Sequence, residues 1–228
     1  MKHVLVFGAR GMIGGAIADA FVKAKFSVIL ATSKDAGEPF VTITKETKFS
    51  DGAVSSLPVL DAVVWAHGVN LNDDAETVDP EQLEHLLDVN VVYIASTLSA
   101  LLQGGKLANG SRLVAISSLW QTAARSGKFS YTISKAAVGG LVRAASADLA
   151  QREILFNAVL PGVLDGAMTR ANLSEAQLKS VVSATDFGRL AEARDIADVT
   201  LYLCSDANRS ITGQSIHVDL GFSHVKRL

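Results

Sequence analysis

Cysteine is nearly absent from this chain, whose 228 residues include only Cys204. A single cysteine excludes any disulfide within the chain, which is typical of a protein from a reducing compartment. Because Cys204 lies in an apolar helical pattern, we interpret it as a small buried residue. The five histidines show no spacing typical of metal ligands, so we expect no metal site.

The chain also lacks a charge excess and a long apolar run. Its formal net charge is −2 and its basic residues are scattered, which argues against nucleic-acid binding. No uninterrupted apolar run approaches the ~20 residues of a membrane span. The N-terminal apolar run, residues 4–7, is too short for a signal peptide. We therefore expect a soluble cytoplasmic protein with no membrane partner.

What the sequence does contain is a regular alternation of strand and helix patterns. Strand patterns lie at 4–7, 26–32, 60–68, 111–118, 154–162 and 214–221, and helix patterns at 11–24, 80–103, 131–151 and 193–206. This alternation predicts right-handed crossovers and a parallel sheet. The predicted fold class is α/β, with one doubly wound Rossmann-type domain over residues 1–228. It has a parallel sheet of about seven strands and helices on both faces. The section after the second strand is short, so we expect no full helix before the strand at 60–68.

A glycine-rich turn follows the first strand and opens the first helix in "VFGARGMIGG". Glycines allow a tight turn and close approach of a pyrophosphate, and the free amides of a helix start attract an anion. Plain turn chemistry is the alternative, but the position after strand one favours nucleotide binding. The expected cofactor-binding residues of this turn are Gly8, Arg10, Gly11, Met12, Ile13 and Gly14.

The end of the second strand indicates which nucleotide binds. It carries Thr32, Ser33 and Lys34, with no carboxylate for the ribose hydroxyls that an NAD site usually has. Hydroxyls and cations, Arg10 among them, suit a 2′-phosphate, so NADPH is favoured over NADH. The alternative is that Arg10 and Lys34 are ordinary surface charges.

Tyr131 and Lys135 are four residues apart in "YTISK". On a helix this spacing places both side chains on one face. A nearby ammonium lowers the pKa of a tyrosine and makes it a plausible general acid and base. Taken alone, such a pair is more often structural than catalytic, so the catalytic interpretation depends on the motifs around it.

Six motifs occur in a fixed order: "FGARGMIG", "VWAHG", "LDVNVV", "ISS", "YTISK" and "LPG". As an ordered set over nearly the whole chain, they resemble the short-chain dehydrogenase/reductase family. The closing segment, residues 189–221, resembles 3-oxoacyl-acyl-carrier-protein reductases and related members.

The resemblance implies an oxidoreductase that reduces a carbonyl to an alcohol, or the reverse, by hydride transfer from a nicotinamide. It implies that Tyr131 is the catalytic acid and base, and that Lys135 lowers its pKa and binds the nicotinamide ribose. Ser118 matches the serine that binds the substrate oxygen, with Ser117 the weaker candidate. Asn90 matches the helix asparagine of a proton path to the lysine, and its alternative role is to satisfy a local carbonyl.

Several positions depart from the family pattern. Phe7 replaces a common threonine, and Gly11 lies one place early. "VWAHG" replaces "NNAG", so Ala66 and Gly68 are expected to line the adenosine side by backbone contacts. His67 is either a titrating group or, in the interpretation we favour, a hydrogen-bonded and partly buried histidine. The remaining expected cofactor contacts are His67, Asn90, Tyr131, Pro161, Gly162 and Val163. Lys48 stands where the family has an adenine-contacting Asp or Asn, and Asp51 is the candidate to replace that contact.

Specificity is expected at the carboxyl ends of the strands. The candidate pocket residues are Ser118, Trp120, Gln121, Leu164 and Met168, with residues 168–182 as a lid. Trp120 is equally suited to a core or a subunit interface. The helices at 80–103 and 131–151 are rich in alanine and leucine, and family members usually pair them, so we expect a homodimer or homotetramer.

Two other functions compete with a carbonyl reductase. A non-catalytic dinucleotide-binding or redox-sensing module would explain the altered glycine turn but not the complete catalytic set. An extended epimerase or dehydratase shares the Tyr/Lys pair but needs a larger substrate domain than 228 residues allow.

Overall fold

A seven-stranded parallel sheet forms the centre of the protein, in the spatial order β3-β2-β1-β4-β5-β6-β7. The structure, a computed structural model, describes residues 1–34, 37–166, 169, 174–184 and 187–225. The strands are β1 (His3–Phe7), β2 (Ser27–Thr32), β3 (Phe40–Thr42), β4 (Leu60–Trp65), β5 (Leu107–Ile116), β6 (Leu155–Pro161) and β7 (Ser215–Val218). The predicted fold class is confirmed, and the order reverses between β1 and β4, where such sheets open a ligand crevice.

The described helices connect these strands on both faces of the sheet. They are α1 (Met12–Lys23), α2 (Gly52–Ser55), α3 (Pro80–Leu87), α4 (Tyr93–Gln103), α5 (Phe129–Asp148), α6 (Glu175–Ser183) and α7 (Ala193–Leu203). The side chain of Asp79 caps α3 by accepting a hydrogen bond from the Glu81 amide at 3.0 Å. Where the sequence predicts one helix at 80–103, a π-helical turn at Asp88–Val92 separates α3 from α4.

Two apolar clusters cover the sheet, one on each face. Side chains along a strand alternate between the faces, so Val63 and Trp65 join one cluster while Ala62 and Val64 join the other. Helices α4 and α5 cover the first face, and α1 and α7 cover the second. Cys204 is 2% exposed and free, as predicted for a small buried residue.

Two short elements lie where the sequence analysis expects no full helix. Strand β3 has three residues that pair with Leu30–Thr32, and α2 has four residues. Helix α5 begins at Phe129, two residues before the predicted start, and ends at Asp148, before a 3₁₀ turn at Ala150–Arg152.

By length and composition, the segment Pro80–Gln103 is apolar enough to span a membrane, with a mean hydropathy of 1.4. Its apolar side chains have another explanation, because Leu86, Ile94, Leu98 and Leu101 are buried within the protein. The composition of this segment is therefore that of a core helix.

Candidate active site

The ends of β1 and β4 lie side by side at the point where the strand order reverses. The Ala66 amide donates to the Phe7 carbonyl at 3.0 Å, which aligns the two strand ends. A Cβ at Gly8 would lie 2.6 Å from the His67 nitrogen, closer than any side chain tolerates. Gly8 also has a φ of +78°, in a region that favours glycine. Gly8 therefore allows the backbone after β1 to lie in close contact with the backbone after β4.

The glycine turn depends on two of its three glycines. A Cβ at Gly14 would lie 2.2 Å from the Gly8 carbonyl oxygen, whereas at Gly11 it would lie 3.4 Å from the same atom. Gly11 is the N-cap of α1, and no side chain caps this helix start. Uncapped amides beside an open glycine turn fit the pyrophosphate of a dinucleotide.

The expected 2′-phosphate contacts lie beside this turn. The Gly8 amide donates to the Ala31 carbonyl at 3.3 Å, which brings the end of β2 next to the turn. Ser33, Lys34 and Arg10 are exposed there. Met12 and Ile13 form the first turn of α1. Asp51 lies just before α2, where its carboxylate accepts the Lys48 amide at 2.8 Å.

Ser118, Tyr131 and Lys135 come together at the ends of β5 and α5. Ser118 follows β5 in an extended conformation, and its hydroxyl oxygen accepts the Trp120 amide at 3.3 Å. Tyr131 lies in the first turn of α5, and the Lys135 Nζ lies 5.6 Å from the centre of its ring. A proton donor, a second hydroxyl and a buried cation therefore share one small region.

In this structure burial has the largest effect on the pKa of Tyr131, and the expected lowering of that pKa by Lys135 stays a prediction. Burial raises the pKa of Tyr131, and the hydrogen bond with Ser118 opposes this increase. Burial lowers the pKa of Lys135 to about 8. Tyr131 is therefore a protonated phenol at neutral pH, the form needed to donate a proton to an alkoxide.

Asn90 lies in the π-helical turn, 1% exposed, and its amide is fully engaged. Its Oδ1 accepts the Val69 amide at 2.9 Å, and its Nδ2 donates to the Val69 carbonyl and the Ser134 hydroxyl, both at 3.0 Å. A Cβ at Gly68 would lie 3.2 Å from the Asn90 Oδ1 and 3.3 Å from the Lys135 Nζ. Asn90 and Lys135 thus meet at the backbone that follows β4.

His67 supports the turn that carries Asn90. Its Nε2 forms a 3.0 Å hydrogen bond with the Val89 carbonyl, inside the π-helical turn, while its Nδ1 is buried without a partner. Burial and the Lys135 charge lower the pKa of His67 to about 4. It is a neutral, hydrogen-bonded histidine, the interpretation that the sequence analysis favours.

Acid should destabilise the protein through His67. Because its pKa is lower in the folded state than in the unfolded state, the unfolded state binds more protons between the two values. Stability therefore falls as the pH falls from 6.5 towards 4, by about 2 kcal/mol at pH ~5. We expect His67→Gln, whose amide still donates to Val89, to remove this part of the loss. Urea unfolding at about pH 7.5 and pH 5 measures it, and an equal loss in both proteins would contradict the prediction.

The substrate side differs from expectation at two positions. Gln121 donates to the Ser215 hydroxyl at 2.6 Å and fills the space beside Gly139, so it packs between β7 and α5 rather than lining a pocket. Leu164 is 6% exposed and belongs to the apolar cluster that includes α1 and α7. Both predictions were wrong for the same reason. The direction of a side chain that follows a strand depends on its packing against residues distant in the chain, which the sequence does not show.

Trp120 lies near Ser118 and is half-buried. The Arg125 guanidinium lies 5.8 Å from the centre of its ring. Met168 lies outside the described residues. Pro161 ends β6, the Gly162 amide donates to the Val218 carbonyl at 3.0 Å, and Val163 follows half-buried. These positions lie at the carboxyl edge of the sheet, where the cofactor contacts are expected.

Lys128 was not among the residues predicted from the sequence, although it lies three residues before Tyr131 in "SGKFSY". Lys128 is 3% exposed, and its Nζ lies 5.4 Å from the centre of the Tyr131 ring. The short separation of Lys128 and Tyr131 along the chain is visible in the sequence, but only the structure shows that this lysine is buried.

Comparison with protein families and curated proteins identifies relatives of this chain. Residues 42–223 match the model of a family described as enoyl-(acyl carrier protein) reductase. A 3-oxoacyl-[acyl-carrier-protein] reductase of Rickettsia felis is 29% identical, with 96% of each chain covered. The enzyme of that name from Escherichia coli is 25% identical over the same shares.

Solved structures show the same fold. A gluconate 5-dehydrogenase from Burkholderia cenocepacia, in complex with NADP and tartrate, superposes with a TM-score of 0.88 at 19% identity, covering 98% of this chain and 96% of that one. A short-chain dehydrogenase/reductase from Serratia marcescens has a TM-score of 0.81 at 26% identity, covering 97% and 98%. The chain therefore belongs to the short-chain dehydrogenase/reductase family and is an NAD(P)-dependent oxidoreductase.

Proposed function

We propose that this protein is an NADPH-dependent reductase that converts a small-molecule carbonyl to an alcohol, or catalyses the reverse reaction. The observation that carries the proposal is the convergence of Ser118, Tyr131 and Lys135 beside the Asn90 turn and the end of β4. Two hydroxyl donors suit a carbonyl oxygen, and the glycine turn next to them suits a dinucleotide.

Each polar group has a distinct part in the proposed reaction. When bound, the nicotinamide supplies the hydride. Ser118 and Tyr131 donate hydrogen bonds to the carbonyl oxygen, and Tyr131 gives its proton to that oxygen as negative charge develops. The Lys135 ammonium stabilises the phenolate that remains. Asn90 holds the Val69 backbone beside Lys135, at the start of a route by which the proton is replaced.

The direct test is NADPH oxidation by the purified protein with a panel of neutral ketones, aldehydes and quinones. A reductase oxidises NADPH in proportion to the carbonyl consumed. A non-catalytic module binds NADPH, with a rise in melting temperature, and oxidises none with any member of the panel. That second result would overturn the proposal.

The cofactor preference rests on Arg10 and Lys34, two exposed cations next to the glycine turn and the end of β2. We expect Arg10→Ala and Lys34→Ala each to raise the KM for NADPH about tenfold, since each removes a charged partner of the 2′-phosphate. The KM for NADH should change less than twofold, because NADH lacks this phosphate.

Lys23→Ala, at the other end of α1, is the matched control. It removes the same charge without approaching the proposed phosphate site. A wild-type protein with the lower KM for NADH, or equal effects of both Ala variants on the two cofactors, would contradict the preference for NADPH.

We also propose that the protein is a cytoplasmic homo-oligomer. Three large apolar side chains stay exposed at the starts of α4 and α5, namely Val92 (41%), Phe129 (40%) and Ile133 (38%). An exposed apolar surface of this kind suits contact with a second copy of the chain. These are the two helices for which the sequence predicts pairing.

A further inference from the structure

Lys128 is a buried cation whose hydrogen bonds go only to neutral oxygens. Its Nζ donates to the Asn70 Oδ1 at 2.7 Å and to the Leu71 carbonyl at 3.4 Å. Among the described residues, no carboxylate lies within ion-pair distance of this ammonium. An ammonium has three donors, so a third remains for another acceptor.

Burying a charge without a counterion is costly. Asp73, the carboxylate whose charge acts on Lys128, has its two oxygens engaged by the amide and the hydroxyl of Ser130 at the start of α5. Arg125 adds a further positive charge, and burial together with this charge lowers the pKa of Lys128 to about 8, while Asp73 opposes the shift. The surroundings of Lys128 are therefore short of negative charge.

The position of Lys128 links it to the reaction site. Its Nζ lies 5.4 Å from the ring centre of Tyr131, as close as the catalytic Lys135 at 5.6 Å. Trp120, beside Ser118, has the Arg125 guanidinium 5.8 Å from its ring centre. Two lysines thus lie near the tyrosine ring, one more than the proposed proton transfer uses.

Asn70 is the side-chain partner of this ammonium. Because an ammonium only donates, Asn70 must face Lys128 with its oxygen, so its NH₂ group is directed away from the lysine. An ammonium with one donor left over and, within the described part of the chain, no carboxylate bonded to it matches a carboxylate oxygen. A neutral substrate would leave the Lys128 charge unpaired.

We infer that Lys128 binds a carboxylate carried by the substrate, so that the substrates are oxo acids and the corresponding hydroxy acids. This inference rests on the proposed function and names its substrate class. Lys128 is a specificity residue in this assignment, separate from the proton-transfer role of Tyr131 and Lys135. The competing role is a purely structural one, in which Lys128 ties the loop after β4 to the start of α5.

The test compares acids with their amides, which match them in size and lack the charge. Pyruvate, acetoacetate and levulinate are each paired with pyruvamide, acetoacetamide and levulinamide, and NADPH oxidation gives kcat/KM for each. For at least one pair we expect wild type to prefer the acid by about 10- to 100-fold, the range of a charge-assisted hydrogen bond. Lys128→Met should reduce this ratio to within about threefold of one.

Lys106→Met is the matched control, since Lys106, like Lys128, donates to two neutral oxygens, here the carbonyls of Ser55 and Leu57, near the opposite edge of the sheet. It should leave the acid-to-amide ratio unchanged. The carboxylate site is wrong if Lys128→Met keeps the wild-type acid-to-amide ratio. It is also wrong if wild type reduces an amide or another ketone but prefers no acid. In either case the proposed reductase activity is retained. If wild type reduces nothing in either panel, the proposed function fails instead, and the carboxylate site with it.

A second measurement needs no variant and covers the case in which Lys128→Met does not fold. Lys128 carries its charge below a pKa of about 8 and loses it as the pH rises through that value. The carboxylate stays ionised over this range, so the wild-type acid-to-amide ratio should fall between about pH 7 and pH 9. Lys135, Arg125 and Asp73 face the same region, but Lys135 acts equally on both members of a pair. A constant ratio would overturn the inference.

Discussion

Replacing Tyr131 by phenylalanine should reduce kcat for carbonyl reduction by about 10²- to 10⁴-fold, the usual contribution of a positioned general acid. The substitution removes one hydroxyl and keeps the ring that packs near Lys128 and Lys135. The KM for NADPH should stay within about twofold, because the ring and both lysines remain. Steady-state NADPH oxidation at saturating carbonyl measures the loss.

Tyr202→Phe is the control for this experiment. Tyr202 is 47% exposed on α7, on the other face of the sheet from α5, so losing its hydroxyl should leave kcat unchanged. A Tyr131→Phe protein that folds, binds NADPH and retains more than about a tenth of wild-type kcat would remove Tyr131 from the reaction. It would also remove the main support for the proposed function.

The second large effect concerns two adjacent glycines in α1, which should respond to alanine in opposite directions. A Cβ at Gly14 would lie 2.2 Å from the Gly8 carbonyl oxygen, whereas at Gly15 it would lie 3.4 Å from the Ala9 carbonyl oxygen, an ordinary contact. Gly14→Ala must push the glycine turn away from the helix and should cost about 2–3 kcal/mol. Gly15→Ala should stabilise the protein by about 0.5–1 kcal/mol, because alanine restricts the unfolded chain and favours the helix.

Thermal unfolding and NADPH titration measure both effects. We expect the melting temperature of Gly14→Ala to fall by about 4–12 °C and that of Gly15→Ala to rise by about 1–4 °C. Gly14→Ala should also weaken NADPH binding, since the displaced turn is the proposed pyrophosphate site. If both variants melt above wild type, the close packing of α1 on Gly8 is not as the structure has it.

The fold could be predicted because its signals are local and repeated. Strands such as Val4–Phe7 and 60–68 are apolar runs that a parallel sheet buries on both faces, and the helices between them have clear helical periods. The three-residue β3 was not predictable, because Phe40–Thr42 forms a strand only by pairing with the end of β2. The π-helical turn at Asp88–Val92 was also missed, since its sequence continues the helical pattern without a break.

The candidate site was also predictable only in part. Motif order along the chain was enough to nominate Asn90, Ser118, Tyr131 and Lys135, and the structure brings all four to one edge of the sheet. Order along the chain says nothing about burial, which sets the pKa of Tyr131 above its usual value and that of Lys135 at about 8.

By itself, the sequence of this protein determined its alternation of strands and helices and its glycine turn, because each depends on residues close together in the chain, and its motifs nominated the candidate reacting groups. Only the tertiary structure decided that Gln121 and Leu164 pack inward, that His67 supports the Asn90 turn and that Lys128 is a buried cation beside Tyr131. Those outcomes depend on contacts between residues far apart in the chain, and on the loss of water around each charge.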